Sequence, residues 1–126
     1  MTNLRTYISI DVEADGPIPG VNSMLNFGAV VFGHDGQELG TFSANLLPLD
    51  GAVADEETMK WWATQPDAYR TVTDNQRRPE DVMPVFAELL YQYPNRVFVG
   101  YPATYDFMFI YWYLMKFYGK SPLSFS

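Results

Sequence analysis

The sequence predicts a single α/β domain on a mixed sheet, an antiparallel three-strand meander plus one parallel strand, with helices packed on it. Three observations lead there. Apolar runs with strand periodicity come first, around Tyr7–Val12 and Met24–Phe32. Asp35-Gly36 then joins the second run to a third, Glu38–Leu46, and this dipeptide is a strong hairpin signal. Finally the period changes to helical, and one short apolar run, Arg96–Gly100, follows the helices; a strand reached by such a crossover can lie parallel to the first.

A chain of 126 residues suits one domain and buries roughly two thirds of its unfolded surface. Hydrophobic residues make up 48% and aromatic residues 17%, which excludes a disordered protein. The net charge of −7 argues against a broad basic surface tracking nucleic acid, so any polynucleotide must be gripped locally. An acidic site still receives phosphate when a divalent cation lies between. With no Cys and one His, disulfides and thiolate or histidine-rich metal sites are excluded, leaving oxygen ligands for hard metals. The longest apolar stretch, Phe107–Met115, is too short to span a bilayer, and the N-terminus lacks a signal-peptide run; the expected location is cytoplasmic, with no membrane contact.

Taken in order, the first strand ends at Gly16-Pro17. His34 falls on the hairpin turn and reads as an exposed loop residue. Asp55–Gln65 opens with acids and is followed by Pro66, as a helix would be. Trp61 and Trp62 are about 100° apart on it, so one packs inward while the other borders a groove. Asp67–Arg78 reads as a polar solvated link, and Arg70, Arg77 and Arg78 give it the densest positive charge in the chain; the sharper alternative is a rim contact to phosphate. Pro79–Tyr91 is a helix with Pro79 near its first position, and Pro84 implies either an irregular first turn or a kink. Tyr101-Pro102 leads into a last helix, Tyr105–Tyr118, stopped by Gly119. This helix is apolar almost all round, and Phe109, Tyr113 and Phe117 are expected on a face left uncovered, favouring self-association or a protein partner.

Chemistry concentrates on the first strand. Asp11 and Glu13 point to one face, their Cα atoms about 6.5 to 7 Å apart. Paired carboxylates repel unless a cation or proton lies between them, and this spacing suits a divalent ion; the plainer alternative is an ordinary strand end with solvated acids. Asp106 is the one early charge on the apolar last helix. It is either stabilised by the helix N-terminus or delivered to the end of the first strand as a third carboxylate. Three such groups suit two-metal phosphoryl chemistry and are expected to converge.

The segments Ile10–Pro17, Ser23–Val30, the Trp61-Trp62 helix and Tyr105–Phe109, spanning nearly the whole chain, resemble the DEDD superfamily of 3′-to-5′ exonucleases, of the proofreading-exonuclease and RNase T type. The resemblance implies a ribonuclease H-like fold and hydrolysis of phosphodiester bonds at 3′ ends of single-stranded DNA or RNA to nucleoside 5′-monophosphates. It implies a two-metal site for Mg²⁺ or Mn²⁺, with Asp11 bridging, Glu13 on the nucleophile-side metal and Asp106 supporting the second. It also implies that Ala14, Asp15, Met24 and Leu25 approach the terminal nucleotide, with Trp62 as a stacking residue. Asp15 reads equally as a loop cap, and Met24, Leu25 and both tryptophans as core.

The superfamily's third motif, His-x₄-Asp or Tyr-x₃-Asp, has no counterpart, since no Asp, Glu or His follows Asp106. The expectation is therefore a single domain over residues 1–126, C-terminally incomplete, lacking the last strand, helix and third motif, with an incomplete metal site and little activity alone. The rival expectation is a non-catalytic exonuclease-like module that binds metal, nucleotide or a protein partner, the last through its C-terminal aromatic helix, or forms a homo-oligomer.

Overall fold

A computed structural model describes residues 4–100 and 103–124. Four strands, β1 (Thr6–Ala14), β2 (Met24–Phe32), β3 (Glu38–Asn45) and β4 (Arg96–Val99), form one sheet in the order β3-β2-β1-β4. β1 pairs antiparallel with β2 and parallel with β4, and β2 pairs antiparallel with β3. The helices are α1 (Glu56–Ala63), α2 (Pro66–Val72), α3 (Pro79–Leu90) and α4 (Ala103–Phe117). Tyr101 and Pro102, read as the lead into the last helix, lie outside the described residues. The mixed sheet is as the sequence predicts.

Side-chain alternation sorts β1 into two faces. Ile8, Ile10 and Val12 enter a core with Phe27, Ala29 and Val31 of β2, closed by Val82, Met83, Phe86 and Leu90 of α3 and by Phe109, Ile110 and Leu114 of α4. Tyr7 and Ser9 are half-buried on the opposite face, so β1 is central in the sheet but covered more deeply on one side. The register shifts between Glu13 and Ala14, where Ala14 opposes Met24. One extra residue in β2 at this bulge lets Met24 join the main core while Leu25 packs in a smaller cluster with Trp62 and Val72.

Three expectations change. The link 67–78 contains a helix, because Pro66, read as a stop for α1, stands at the start of α2, where its missing N–H costs nothing. Tyr69 and Val72 of α2 pack against Trp62, which supplies the apolar partner that a polar segment needs to hold helical form. The late start near Val82 does not hold: α3 begins at Pro79 and carries Pro84 inside it. Finally, Phe109 and Tyr113 of α4 are fully buried and Phe117 half-buried, so the outward positions are Met108 and Met115. Gly119, at φ +96, ends α4 by returning its N–H to the carbonyls of Leu114 and Met115.

Candidate active site

The C-terminal end of β1 carries the acids. Asp11 is exposed and Glu13 half-buried on the less covered sheet face. Asp106, in the first turn of α4, is 2% exposed and meets β1 from the side of β4. Its Oδ1 accepts the Val12 N–H at 3.1 Å. The N–H groups of even-numbered β1 residues point toward β4, as Thr6 does in bonding the Asn95 carbonyl. β4 pairs only as far as Ser9↔Val99, so the Asp106 carboxylate occupies the next place along the ladder, where a strand carbonyl would otherwise stand. Gly100 permits this approach: a Cβ there would lie 3.0 Å from Asp106 Oδ2 and 2.9 Å from Phe98 Cε1.

The electrostatics link the three acids. Burial pushes the Glu13 carboxyl above the usual carboxylate range, and the charges of Asp11 and then Asp106 raise it further. Tyr105, half-buried beside Asp106, is raised first by burial and then by Glu13, Asp106 and Asp15, so its phenol keeps its proton at neutral pH. Sequence reasoning gave Tyr105 no role; its position directly before the Asp106 carboxylate was the available signal. Among the described residues no three His, Cys, Asp or Glu side chains form a ready-made metal shell. The donor set of hard, mutually repelling oxygens fits a divalent cation in an open site completed by water better than a closed cage.

Ala14, Asp15, Met24, Leu25 and Trp62 are 5%, 7%, 0%, 3% and 3% exposed, so they are packed inward and do not line open surface. Trp62 donates its Nε1–H to the Ala14 carbonyl at 3.0 Å. Trp61 is the outward member of the pair. Asp15 caps its loop: its Oδ1 accepts the Ser23 N–H at 2.7 Å, its N–H bonds the Ser23 carbonyl, and its carbonyl receives the Asp55 N–H. Burial raises its carboxyl while the bond from Ser23 opposes the shift. The Met24 N–H bonds the buried Tyr113 hydroxyl at 2.7 Å, fixing the start of β2 to α4. Asp55 caps α1 by accepting from the Thr58 hydroxyl and the Thr58 N–H, and these bonds, the hydroxyl's first, lower its carboxyl.

A four-strand mixed sheet, with acids at the end of its central strand and a carboxylate from the helix that follows the parallel strand, defines a ribonuclease H-like exonuclease fold. Solved structures of the same architecture include Escherichia coli exonuclease I in complex with a dT13 oligonucleotide, at TM-score 0.73 and 14% identity over 94% of this chain and 25% of that one. A zinc-bound form of the E. coli exonuclease I–single-stranded DNA complex matches at TM-score 0.72, again 14% identical over 94% and 25% of the two chains. The chain belongs to the family of 3′-5′ exoribonuclease Rv2179c-like domains, whose model matches residues 6–125. A curated relative, the 3′-5′ DNA exonuclease Cap18 of E. coli, is 29% identical over 129 residues; the match covers 96% of this chain and 63% of the relative. No helix of the described residues is long and apolar enough to cross a membrane.

Proposed function

We propose that this domain hydrolyses phosphodiester bonds at the 3′ ends of single-stranded DNA or RNA, releasing nucleoside 5′-monophosphates with the help of Mg²⁺ or Mn²⁺. The observation that carries the reading is the electrostatic meeting of Glu13 with Asp11 and Asp106 at the end of β1, in a chain of an exonuclease family. Asp11, Glu13 and Asp106 would hold the cation or cation pair, with Asp11 reaching furthest toward solvent. When bound, the metal supplies an activated water and neutralises charge on the scissile phosphate. Asp106 keeps a fixed orientation because Oδ1 holds the Val12 N–H. Tyr105, which keeps its proton beside these acids, adds no further charge to the cluster. Ala14, Asp15, Met24, Leu25 and Trp62 serve the terminal nucleotide by fixing the backbone of loop 15–23 beside it.

The test is a time course with 5′-labelled single-stranded DNA and RNA in Mg²⁺ or Mn²⁺ under protein excess. Stepwise shortening from the 3′ end, stopped by EDTA and by Asp11→Asn, is the expected result. Metal-dependent binding of the 3′ end with no shortening would defeat the hydrolysis, and neither binding nor shortening would defeat the whole reading.

A further inference from the structure

We propose that a polar hollow at the far edge of the carboxylate-bearing face, held by Arg77, Asn26 and Asn45, binds an internal phosphate of the strand whose 3′ end lies at Asp11 and Glu13. The proposal rests on the exonuclease reading above and adds a second point of grip to it.

Register places the hollow. Glu13 opposes Asn26, and Asn26 opposes Asn45, so these three residues form one row across β1, β2 and β3 on a single sheet face. Two strand spacings separate the ends of the row, about 10 Å. The next row is Asp11, Gly28 and Ser43. A Cβ at Gly28 would meet nothing within 4 Å, so the sheet between the acids and Ser43 is open above its central strand. At the end of this track lies a hollow of about 280 Å³ lined by Asn26, Ser43, Asn45, Asn75 and Arg77, with Asp74 also on its wall.

The loop that brings Arg77 there is tied down rather than draped. Asn45 Nδ2 donates to the carbonyls of Thr71 and Asp74, both at 2.7 Å, and Asn45 Oδ1 accepts from Asn26 Nδ2 at 2.7 Å. Asn75 turns the chain at φ 51. The Arg77 N–H then bonds the Asn45 carbonyl at 2.8 Å while its own carbonyl receives the Leu47 N–H at 2.8 Å, so its backbone continues the edge of β3. A long cationic side chain anchored this way loses less freedom on meeting a ligand than one on an untethered loop.

Charge singles out Arg77 among the three arginines of this segment. Arg70 pairs with Asp67 at 2.9 Å and Arg78 with Glu80 at 3.2 Å, whereas Arg77 makes no ion pair among the described residues. In a chain of net charge −7 a strand must be gripped at discrete points, and a guanidinium set among amide side chains suits a phosphodiester.

The experiment is fluorescence anisotropy of a labelled single-stranded oligonucleotide in Ca²⁺ across a salt series, with thymidine 5′-monophosphate as a competitor that fills only the terminal position. Arg77→Ala should weaken oligonucleotide binding about tenfold and lower the salt slope by about one, leaving mononucleotide competition unchanged. Arg77→Lys should restore the salt slope because the charge is kept but recover only part of the affinity because the guanidinium fork is lost, and Arg70→Ala should bind as the wild type does. Wild-type affinity and slope in Arg77→Ala, or a wild type that holds the oligonucleotide no more tightly than the mononucleotide, would overturn the subsite and leave the exonuclease reading standing. A wild type that binds neither would remove both.

Discussion

The Asp106 carboxylate accepts the backbone N–H of Val12 at 3.1 Å, so a residue on α4 completes the hydrogen bonding of β1 beyond the last pair of the parallel ladder. Structure and charge are separable here. Asp106→Asn keeps an acceptor for Val12 and should unfold in urea near the wild-type midpoint. Asp106→Ala leaves a buried N–H without it and should cost about 1–3 kcal/mol. Equal destabilisation by the two substitutions would show that the bond to Val12 is not what Asp106 contributes to stability.

Glu13 makes stability depend on pH in a definite direction. Its folded-state affinity for a proton exceeds that of the unfolded chain, so the folded state binds more protons in the window above the ordinary value of 4.5. Stability therefore falls as pH rises through that window, and the penalty persists at neutral pH in the absence of divalent metal. Glu13→Gln removes it. The variant should be more stable than wild type at neutral pH without metal, with the advantage shrinking below the unfolded pKa. Urea midpoints at both pH values check this, and a variant with no neutral-pH advantage would contradict it.

Gly100→Ala tests the approach of β4 to Asp106 without touching a charge. The added Cβ would stand 3.0 Å from Asp106 Oδ2 and 2.9 Å from the Phe98 ring, and a tight core accommodates such an atom only by shifting neighbours, at about 1–3 kcal/mol. Because one of those neighbours is the carboxylate, Mn²⁺ affinity should fall together with the urea midpoint. Unchanged metal affinity in a destabilised variant would place Asp106 outside the metal centre.

Much of this arrangement is legible in the residues, and the gaps have physical causes. Met24–Phe32 and the Asp35-Gly36 turn define a strand and hairpin locally, and both appear where period and turn chemistry put them. Pro66 is ambiguous by nature, since proline ends one helix and begins another with equal ease; only the packing of Tyr69 and Val72 on Trp62 decides it. Helix α4 is apolar on every side, so its sequence holds no periodicity to say which face turns inward, and the sheet chose Phe109 and Tyr113. The acids Asp11 and Glu13 are visible as a strand pair, but the link of Asp106 to β1 depends on where β4 stops pairing, a tertiary fact. Tyr105 and Arg77, which makes no ion pair among the described residues, likewise acquire meaning only from neighbours distant in the chain.

The account turns on Asp11, Glu13 and Asp106 acting as one metal centre, and Mn²⁺ titration followed by electron paramagnetic resonance tests this most directly. Wild type should bind weakly, because three acids leave part of the coordination sphere to water. Asp11→Asn, Glu13→Gln and Asp106→Asn should each lower the affinity by about tenfold or more, the equivalent of about 1.4 kcal/mol. Mn²⁺ binding that survives unchanged in all three variants would contradict the account.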